Sequence, residues 1–233
     1  MADIFTWSFL VALASIVVID LVLAGDNAIV IGMSAKNLPV HQRKKAIIIG
    51  TVGAVIVRIL ATLAIVWLLK IPGLQLVGGL ILIWIAYKLL VEDNEIGDHK
   101  ASKSLASAVA TIMIADTVMG LDNVLAVAGA ANHNYTLVVL GLLISVPIMV
   151  WGSTMFIKLI DKFPIIIYIG SAVLAFTAAR MITHEPFLHD FFTSYWYLSW
   201  LFIAVVVVAV VFIGRKKSQA LESTAHEMEH PTH

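Results

Sequence analysis

Two stretches of this sequence decide the fold: residues 20–31 read DLVLAGDNAIVI, and residues 116–130 read DTVMGLDNVLAVAGA. Each places two aspartates six residues apart in a long apolar run, and an asparagine follows the second aspartate of each pair. One aspartate at the centre of a membrane helix costs about 2.5–3.5 kcal/mol on insertion scales. Four of them require a compensating interaction, so these stretches predict a polar site inside a membrane protein.

The composition agrees with a membrane location. Of 233 residues, 61% are hydrophobic and 13% charged, whereas a soluble domain is about half apolar and a quarter charged. Since roughly 20 apolar residues span a bilayer as a helix, the sequence predicts an all-α polytopic membrane protein. Its seven transmembrane helices are expected at residues 5–34, 46–69, 73–91, 104–131, 136–157, 164–182 and 196–213.

The basic residues predict the orientation. With seven spans, only Lys70 and Arg180 fall on one side, and cationic loops stay cytoplasmic. The N-terminus is therefore expected outside and the C-terminus inside the cell. The first residues lack a basic region and a cleavage site, so they are expected to belong to the first helix. The basic residues of the inner side are Lys36, Arg43, Lys44, Lys45, Lys88, Lys100, Lys103, Lys158, Lys162, Arg215, Lys216 and Lys217.

An internal repeat divides the chain. The third and sixth spans align at an offset of 92 residues, and the first and fourth at 96, where Asp20 meets Asp116. A tandem unit of three spans must be inverted, which is a recurring plan of transporters, although a duplication could also persist in a protein that transports nothing. The expected organisation is 1–91 as the first three-helix repeat, 92–103 as a cytoplasmic linker, 104–182 as the second repeat, 183–214 as an outer loop with the seventh helix, and 215–233 as a polar cytoplasmic tail.

The spacing of the aspartates predicts broken helices. Residues six apart on a regular helix differ by about 240°, so their side chains diverge. A break at Ala24-Gly25 and at Gly120-Leu121 would let them converge, because glycine tolerates the required backbone angles. The resulting oxygen-rich shell suits Mg²⁺, Ca²⁺ or Mn²⁺; the alternative is a structural role for protonated or hydrogen-bonded aspartates. The candidate metal ligands are Asp20, Asp26, Asn27, Asp116, Asp122 and Asn123.

Arg58 is a candidate charge partner of these aspartates. It falls midway along the second span, and Gly50, Ala54 and Ala61 share its helical face. Small residues mark the face on which helices approach closely, so Arg58 is expected to point into the bundle towards an aspartate. Its counterpart in the second repeat lies near Met149 and is apolar. Two roles stay open: replacement of the ion's positive charge when the ion leaves, or a fixed structural ion pair.

Several other function classes find little support. The chain has no cysteine, which rules out disulfides and thiolate sites, and no hydrolase, phosphate-loop or dinucleotide motif occurs. Paired aspartates also occur in intramembrane proteases, but those need neither the asparagines nor four acids, so no enzyme is expected. No nucleic-acid partner is expected. The acids and histidines of the tail could hold a divalent ion loosely, but a mobile, solvated tail is the preferred interpretation. Those of the outer loop, His184, Glu185, His189 and Asp190, are interpreted as ordinary interfacial polarity rather than an ion vestibule.

The two quoted stretches resemble the TerC family of integral membrane proteins, within the broader LysE-type transporter group, and the resemblance extends over all seven spans. It implies manganese efflux in bacteria, manganese loading of exported enzymes and tellurite-resistance phenotypes. It also implies that the six candidate ligands form the metal site. The choice of Mn²⁺ over Ca²⁺ or Mg²⁺ comes from the family.

The function expected from these features is Mn²⁺ export by alternating access of the two repeats, with Ca²⁺ and Mg²⁺ as alternative ions. Four carboxylates exceed the charge of one divalent ion, so proton uptake as the metal leaves is a natural coupling. The rival is an accessory protein that delivers metal to exported proteins without pumping. The expected partners are the metal ion and the lipid bilayer, with no tightly bound cofactor; contacts with the protein-export machinery or a second copy of the chain stay open.

Overall fold

The computed structural model describes residues 6–23, 25–64, 71–93, 104–131 and 134–229, apart from some side chains within these ranges. In those ranges the chain forms nine α-helices and no strand. The helices are α1 (Trp7–Leu23), α2 (Gly25–Lys36), α3 (Val40–Leu63), α4 (Leu74–Asp93), α5 (Leu105–Ala131), α6 (Tyr135–Lys162), α7 (Ile165–Thr183), α8 (Pro186–Ser194) and α9 (Trp196–Glu229). The all-helical prediction is confirmed for this part of the chain.

Five of these helices, α3, α4, α6, α7 and α9, are long and apolar enough to cross a membrane. The pair α1 and α2 passes the same test as one span bent by 50°. In α5 the stretch Leu105–Leu121 is apolar but shorter than these spans. The protein is therefore a multi-pass membrane protein, and the seven-span topology stays a prediction.

Glycines allow the helices to approach closely. A Cβ at Gly79 of α4 would lie 2.7 Å from the carbonyl oxygen of Ala178 in α7. A Cβ at Gly50 of α3 would lie 2.8 Å from Ile112 of α5. Pairs α4–α7, α3–α5, α1–α6 and α2–α6 form the principal contacts, and α9 packs against α4 and α7. The predicted small-residue faces are thus the helix interfaces.

The outer surface is apolar, as expected of a protein solvated by lipid. Large hydrophobic side chains are more than half exposed on most spans, among them Leu60, Leu80, Ile169 and Val208. Small polar or charged groups lie inside instead, including Asp20, Arg58 and Asp116. The exposed surface is thus more apolar than that of a soluble protein, and these charged groups lie within a largely apolar interior.

Three predicted segments differ from the structure. Helix α3 begins at Val40, six residues before the predicted span, because the polar residues after Pro39 continue the helix beyond the apolar run. The outer loop contains the short helix α8, in which Pro186 occupies a helix-compatible first turn. Helix α9 continues to Glu229, so the polar tail is helical up to that residue. Most of the linker, residues 94–103, lies outside the described residues.

Candidate functional site

Asp20 and Asp116, the first aspartates of the two motifs, meet at one arginine. Arg58 Nη2 donates to Asp116 Oδ1 at 2.7 Å, and Arg58 Nη1 donates to Asp20 Oδ1. All three residues are at most 2% exposed. They come from three helices, α5, α3 and α1, so the ion pairs join the two predicted repeats. The prediction that Arg58 points into the bundle and pairs with an aspartate is confirmed, and it pairs with two.

Asn27, the first residue after Asp26, binds the same cluster. Its Nδ2 donates to Asp116 Oδ1 at 2.6 Å, so this oxygen accepts hydrogen bonds from both Asn27 and Arg58. Three buried oxygens of the cluster, Asp20 Oδ2, Asp116 Oδ2 and Asn27 Oδ1, have no hydrogen-bond donor among the described residues. Buried polar atoms are usually paired, so these oxygens are available acceptors.

Asp26 also lies in α2, next to Asn27 in the chain, and has a different hydrogen-bond partner. It is half-buried, and its Oδ2 accepts a hydrogen bond from Thr177 Oγ1 of α7 at 3.2 Å. The first motif therefore contacts two helices of the predicted second repeat: Asn27 contacts α5, and Asp26 contacts α7. Sequence reasoning missed Thr177, because a threonine in an apolar helix carries no signal of a distant carboxylate partner.

The predicted helix breaks are half right. The first motif changes helix where expected: α1 ends at Leu23 and α2 begins at Gly25. At the second motif the prediction of a break at Gly120-Leu121 is wrong, because α5 runs continuously from Leu105 to Ala131. Gly120 serves close packing instead, since a Cβ there would lie 3.0 Å from Arg58 Nε. The glycine leaves room for the guanidinium.

The second Asp–Asn pair is described only in part. Asp122 lies within α5, and its side chain is outside the described residues. Asn123 is buried, at 6% exposed. The structure therefore brings together Asp20, Asp116 and Asn27 of the six predicted ligands, and it places Asp26 on the adjoining helix α2. Whether Asp122 and Asn123 join them stays a prediction.

The described side chains do not form a complete metal shell. Among the side chains that are described, no three of the His, Cys, Asp and Glu residues lie close enough together to hold a metal ion. The space between the two aspartates is taken by the Arg58 guanidinium. Two carboxylates against one guanidinium leave one surplus negative charge in a region where charges interact strongly. The cluster is thus a cation-binding arrangement that holds an internal cation.

A second buried acid, Glu185, departs from the sequence prediction. Ordinary interfacial polarity is expected for the outer loop that contains it, yet Glu185 is 1% exposed. Its carboxylate accepts backbone N–H groups at the start of α4, more than 100 residues away in sequence. The prediction of ordinary interfacial polarity is wrong for Glu185, because a helix N-terminus offers unpaired donors that a buried carboxylate can satisfy.

Comparisons with known proteins cover most of this chain, including the site residues described above. The sequence matches the Integral membrane protein TerC family over residues 5–221. Uncharacterized membrane protein YjbE of Bacillus subtilis (strain 168) is 44% identical over 214 residues, which is 92% of this chain and 98% of that protein. Uncharacterized membrane protein YkoY of the same organism is 25% identical over 242 residues, 91% of this chain and 74% of that protein.

A third relative comes from another bacterium. UPF0053 inner membrane protein YgdQ of Escherichia coli (strain K12) is 24% identical over 225 residues, 89% of this chain and 94% of that protein. No solved structure matches significantly. The family match includes both aspartate motifs and Arg58. On this match and the similarity to YjbE, the chain belongs to the TerC family of integral membrane proteins.

Proposed function

We propose that this protein transports a divalent metal cation across the bacterial plasma membrane, with Mn²⁺ export as its function. The observation that carries the proposal is the convergence of Asp20 and Asp116 on Arg58 in the interior of the bundle. These aspartates occupy equivalent positions of the two motifs, and charges this deep in a membrane protein are characteristic of ion pathways.

The chemistry of the free acceptors supports a hard cation as the substrate. Asp20 Oδ2, Asp116 Oδ2 and Asn27 Oδ1 are buried without a donor. Carboxylate and amide oxygens are the ligands that Mn²⁺, Mg²⁺ and Ca²⁺ prefer. Oxygen chemistry does not separate these ions; the assignment of Mn²⁺ rests on the resemblance to the TerC family. Asp26, Asp122 and Asn123 are proposed as the remaining ligands.

Arg58 is proposed to take the place of the metal when the site is empty. A guanidinium and a metal ion cannot both bind the same two carboxylates at close range, so the two cations compete. A buried carboxylate pair left without any cation would be strongly destabilised. Arg58 therefore stabilises the metal-free protein and favours ion release, which a transporter requires after each transfer.

Alternating access of two inverted repeats is proposed as the mechanism. The helix contacts support it, because exchanging the repeats turns the α3–α5 pair into the pair of α6 with α1 and α2. The α4–α7 pair is equivalent to itself under this exchange, as expected at a pseudo-twofold axis. The proposed orientation, with the N-terminus outside, follows from the distribution of Lys and Arg.

Proton exchange is proposed as the coupling. The described interior contains three aspartates and one arginine, so departure of a divalent cation leaves excess negative charge. Protonation of one or more carboxylates would cancel this charge. We expect Mn²⁺ flux in vesicles to be faster when a proton gradient drives protons in the direction opposite to Mn²⁺. A flux that is insensitive to this gradient would reject the coupling and leave the transport proposal intact.

Flux through purified protein in liposomes tests the proposed function. We expect Mn²⁺ movement with the wild type and a loss of about tenfold or more, equivalent to 1.4 kcal/mol, in Asp20→Asn and Asp116→Asn. Asp161→Asn is the matched control, since this acid is half-exposed at the end of α6. Wild-type protein that binds Mn²⁺ without moving it would instead support the accessory role. Unchanged flux in both aspartate variants would remove the carboxylates from the pathway.

A further inference from the structure

Glu185 is a buried carboxylate that the proposed cation pathway does not use. It lies between α7 and α8 and is 1% exposed. Its oxygens accept three backbone hydrogen bonds: Oε1 from Gly73 N at 2.9 Å, and Oε2 from Gln75 N and Leu76 N at 3.0 Å each. Both carboxylate oxygens are therefore engaged by a single short segment.

The donors belong to the beginning of α4. Leu74 is the first residue of this helix, and the first N–H groups of a helix have no acceptor within it. A carboxylate at this end also interacts favourably with the helix dipole. Gly73 has a φ of +82°, a left-handed conformation that glycine adopts without strain. The segment is thus shaped to present three N–H groups to Glu185.

The hydrogen bonds between Glu185 and the start of α4 join the two predicted repeats at one end of the bundle. Helix α4 is the last of the first repeat, and Glu185 follows α7, the last helix of the second. Near the same end, Met181 of α7 fills the space beside Gly78 of α4, where a Cβ would lie 2.8 Å from its Cε. Separation of α4 from α7 at this end must break all three hydrogen bonds to Glu185.

At the opposite end of the bundle, two helices are joined by an ion pair near the surface. Arg43 of α3 and Asp161 of α6 form an ion pair at 3.3 Å, with side chains 25% and 46% exposed. Exposed ion pairs contribute little to stability. The N-terminus of α7, which is the counterpart of the α4 N-terminus, has no side-chain cap from the described residues. Among the described residues, the Glu185 cap at the start of α4 therefore has no counterpart at the start of α7.

We propose that Glu185 is a gating residue that keeps the two repeats closed on the predicted outer side of the membrane. Opening to that side requires its carboxylate to release the N-terminus of α4, while the other side opens without breaking this contact. The inference rests on the proposed alternating-access function, in which each side of the site opens in turn.

Thiol accessibility tests the gate without any metal. The chain has no cysteine, so Met181→Cys introduces a single thiol at the α4–α7 interface, where Met181 is 2% exposed. We expect slow maleimide labelling of this thiol in purified protein in nanodiscs. Adding Glu185→Gln, which replaces one acceptor oxygen by an amide donor, is expected to raise the labelling rate about tenfold or more, since more molecules are open at this end.

Two controls separate a gate from general destabilisation. Asp190→Asn changes a fully exposed acid of the same segment and should leave the rate within about twofold, as surface substitutions usually do. Ile157→Cys, a buried reporter on α6 towards the opposite end, should stay protected when Glu185→Gln is added. An unchanged rate at Met181→Cys overturns the proposal. A comparable increase at both reporters also overturns it, because Glu185 then stabilises the whole bundle.

Flux measurements distinguish this inference from the proposed function. If Glu185→Gln exposes Met181→Cys alone but wild-type liposomes move no Mn²⁺, Glu185 is confirmed as the closing contact and transport is rejected. If the wild type moves Mn²⁺ and the labelling rate is unchanged, transport stands and the gate is rejected.

Discussion

At Arg58, two carboxylates share one guanidinium. Asp116 Oδ1 lies 2.7 Å from Nη2, Asp20 binds Nη1, and the surrounding helices exclude water from all three groups. Loss of one partner from such a cluster leaves a buried charge uncompensated. The residue therefore contributes to stability through the aspartates, and its effect depends on what other cation can reach them.

Replacement of Arg58 by methionine should make stability depend on metal. We expect Arg58→Met to destabilise the metal-free protein by about 3–5 kcal/mol, because the carboxylates lose their buried counter-charge. Mn²⁺ should raise the melting temperature more in the variant than in the wild type, since no guanidinium competes for the ligands. Thermal unfolding with and without Mn²⁺ measures both effects. Arg43→Met, at a half-exposed ion pair, should cost at most about 1 kcal/mol.

A neutral version of the cluster separates structure from function. The triple variant Arg58→Met, Asp20→Asn, Asp116→Asn should regain much of the stability lost in Arg58→Met, because replacing a whole buried ionic group is often neutral. It should lose the stabilisation by Mn²⁺. A Mn²⁺-dependent shift in melting temperature that survives in the triple variant would contradict the assignment of these ligands.

At the scale of the helices, the glycines differ in their surroundings. Gly120 lies inside a continuous helix beside the Arg58 guanidinium, and Gly79 lies against the backbone of α7. Gly25 begins α2 where the first motif bends, and no atom would contact a Cβ there within 4 Å. Close approach therefore requires glycine at Gly120 and Gly79 but not at Gly25.

Alanine at two glycines should therefore have opposite effects. Gly79→Ala would place a Cβ 2.7 Å from the Ala178 carbonyl oxygen, so α4 and α7 must separate at a cost of about 1–3 kcal/mol. Gly152→Ala, within α6, meets no atom within 4 Å, and the higher helix propensity of alanine should stabilise it by up to about 1 kcal/mol. Detergent-induced unfolding compares the two variants. Equal stability would show that the α4–α7 contact is not tight.

At the scale of the whole molecule, the distribution of basic residues predicts the orientation. In a variant with a single cysteine at Lys44, labelling by a membrane-impermeant maleimide should occur only after the cells are opened. With the cysteine at His189, intact cells should be labelled. Both positions are exposed, so the difference reports the side of the membrane rather than burial. Labelling of both positions from outside would reject the seven-span topology.

Some properties of this protein follow from the amino-acid sequence alone. The membrane location follows from apolar runs, because insertion depends on the summed hydropathy of a local segment. The interior position of Arg58 and its pairing with an aspartate follow from the free-energy cost of an unpaired charge deep in hydrocarbon. Each of these conclusions depends on residues close together in sequence.

The tertiary structure decided which distant groups meet. Asp20 and Asp116 share Arg58, Asp26 binds Thr177 of α7, and Glu185 binds the start of α4. The same glycine residue type marks a bend at Gly25 and a packed, unbroken helix at Gly120, and only the neighbouring Arg58 distinguishes them. Such partners depend on how helices from the two predicted repeats pack. Because the partners are far apart in the chain, the local sequence around each one does not identify the other.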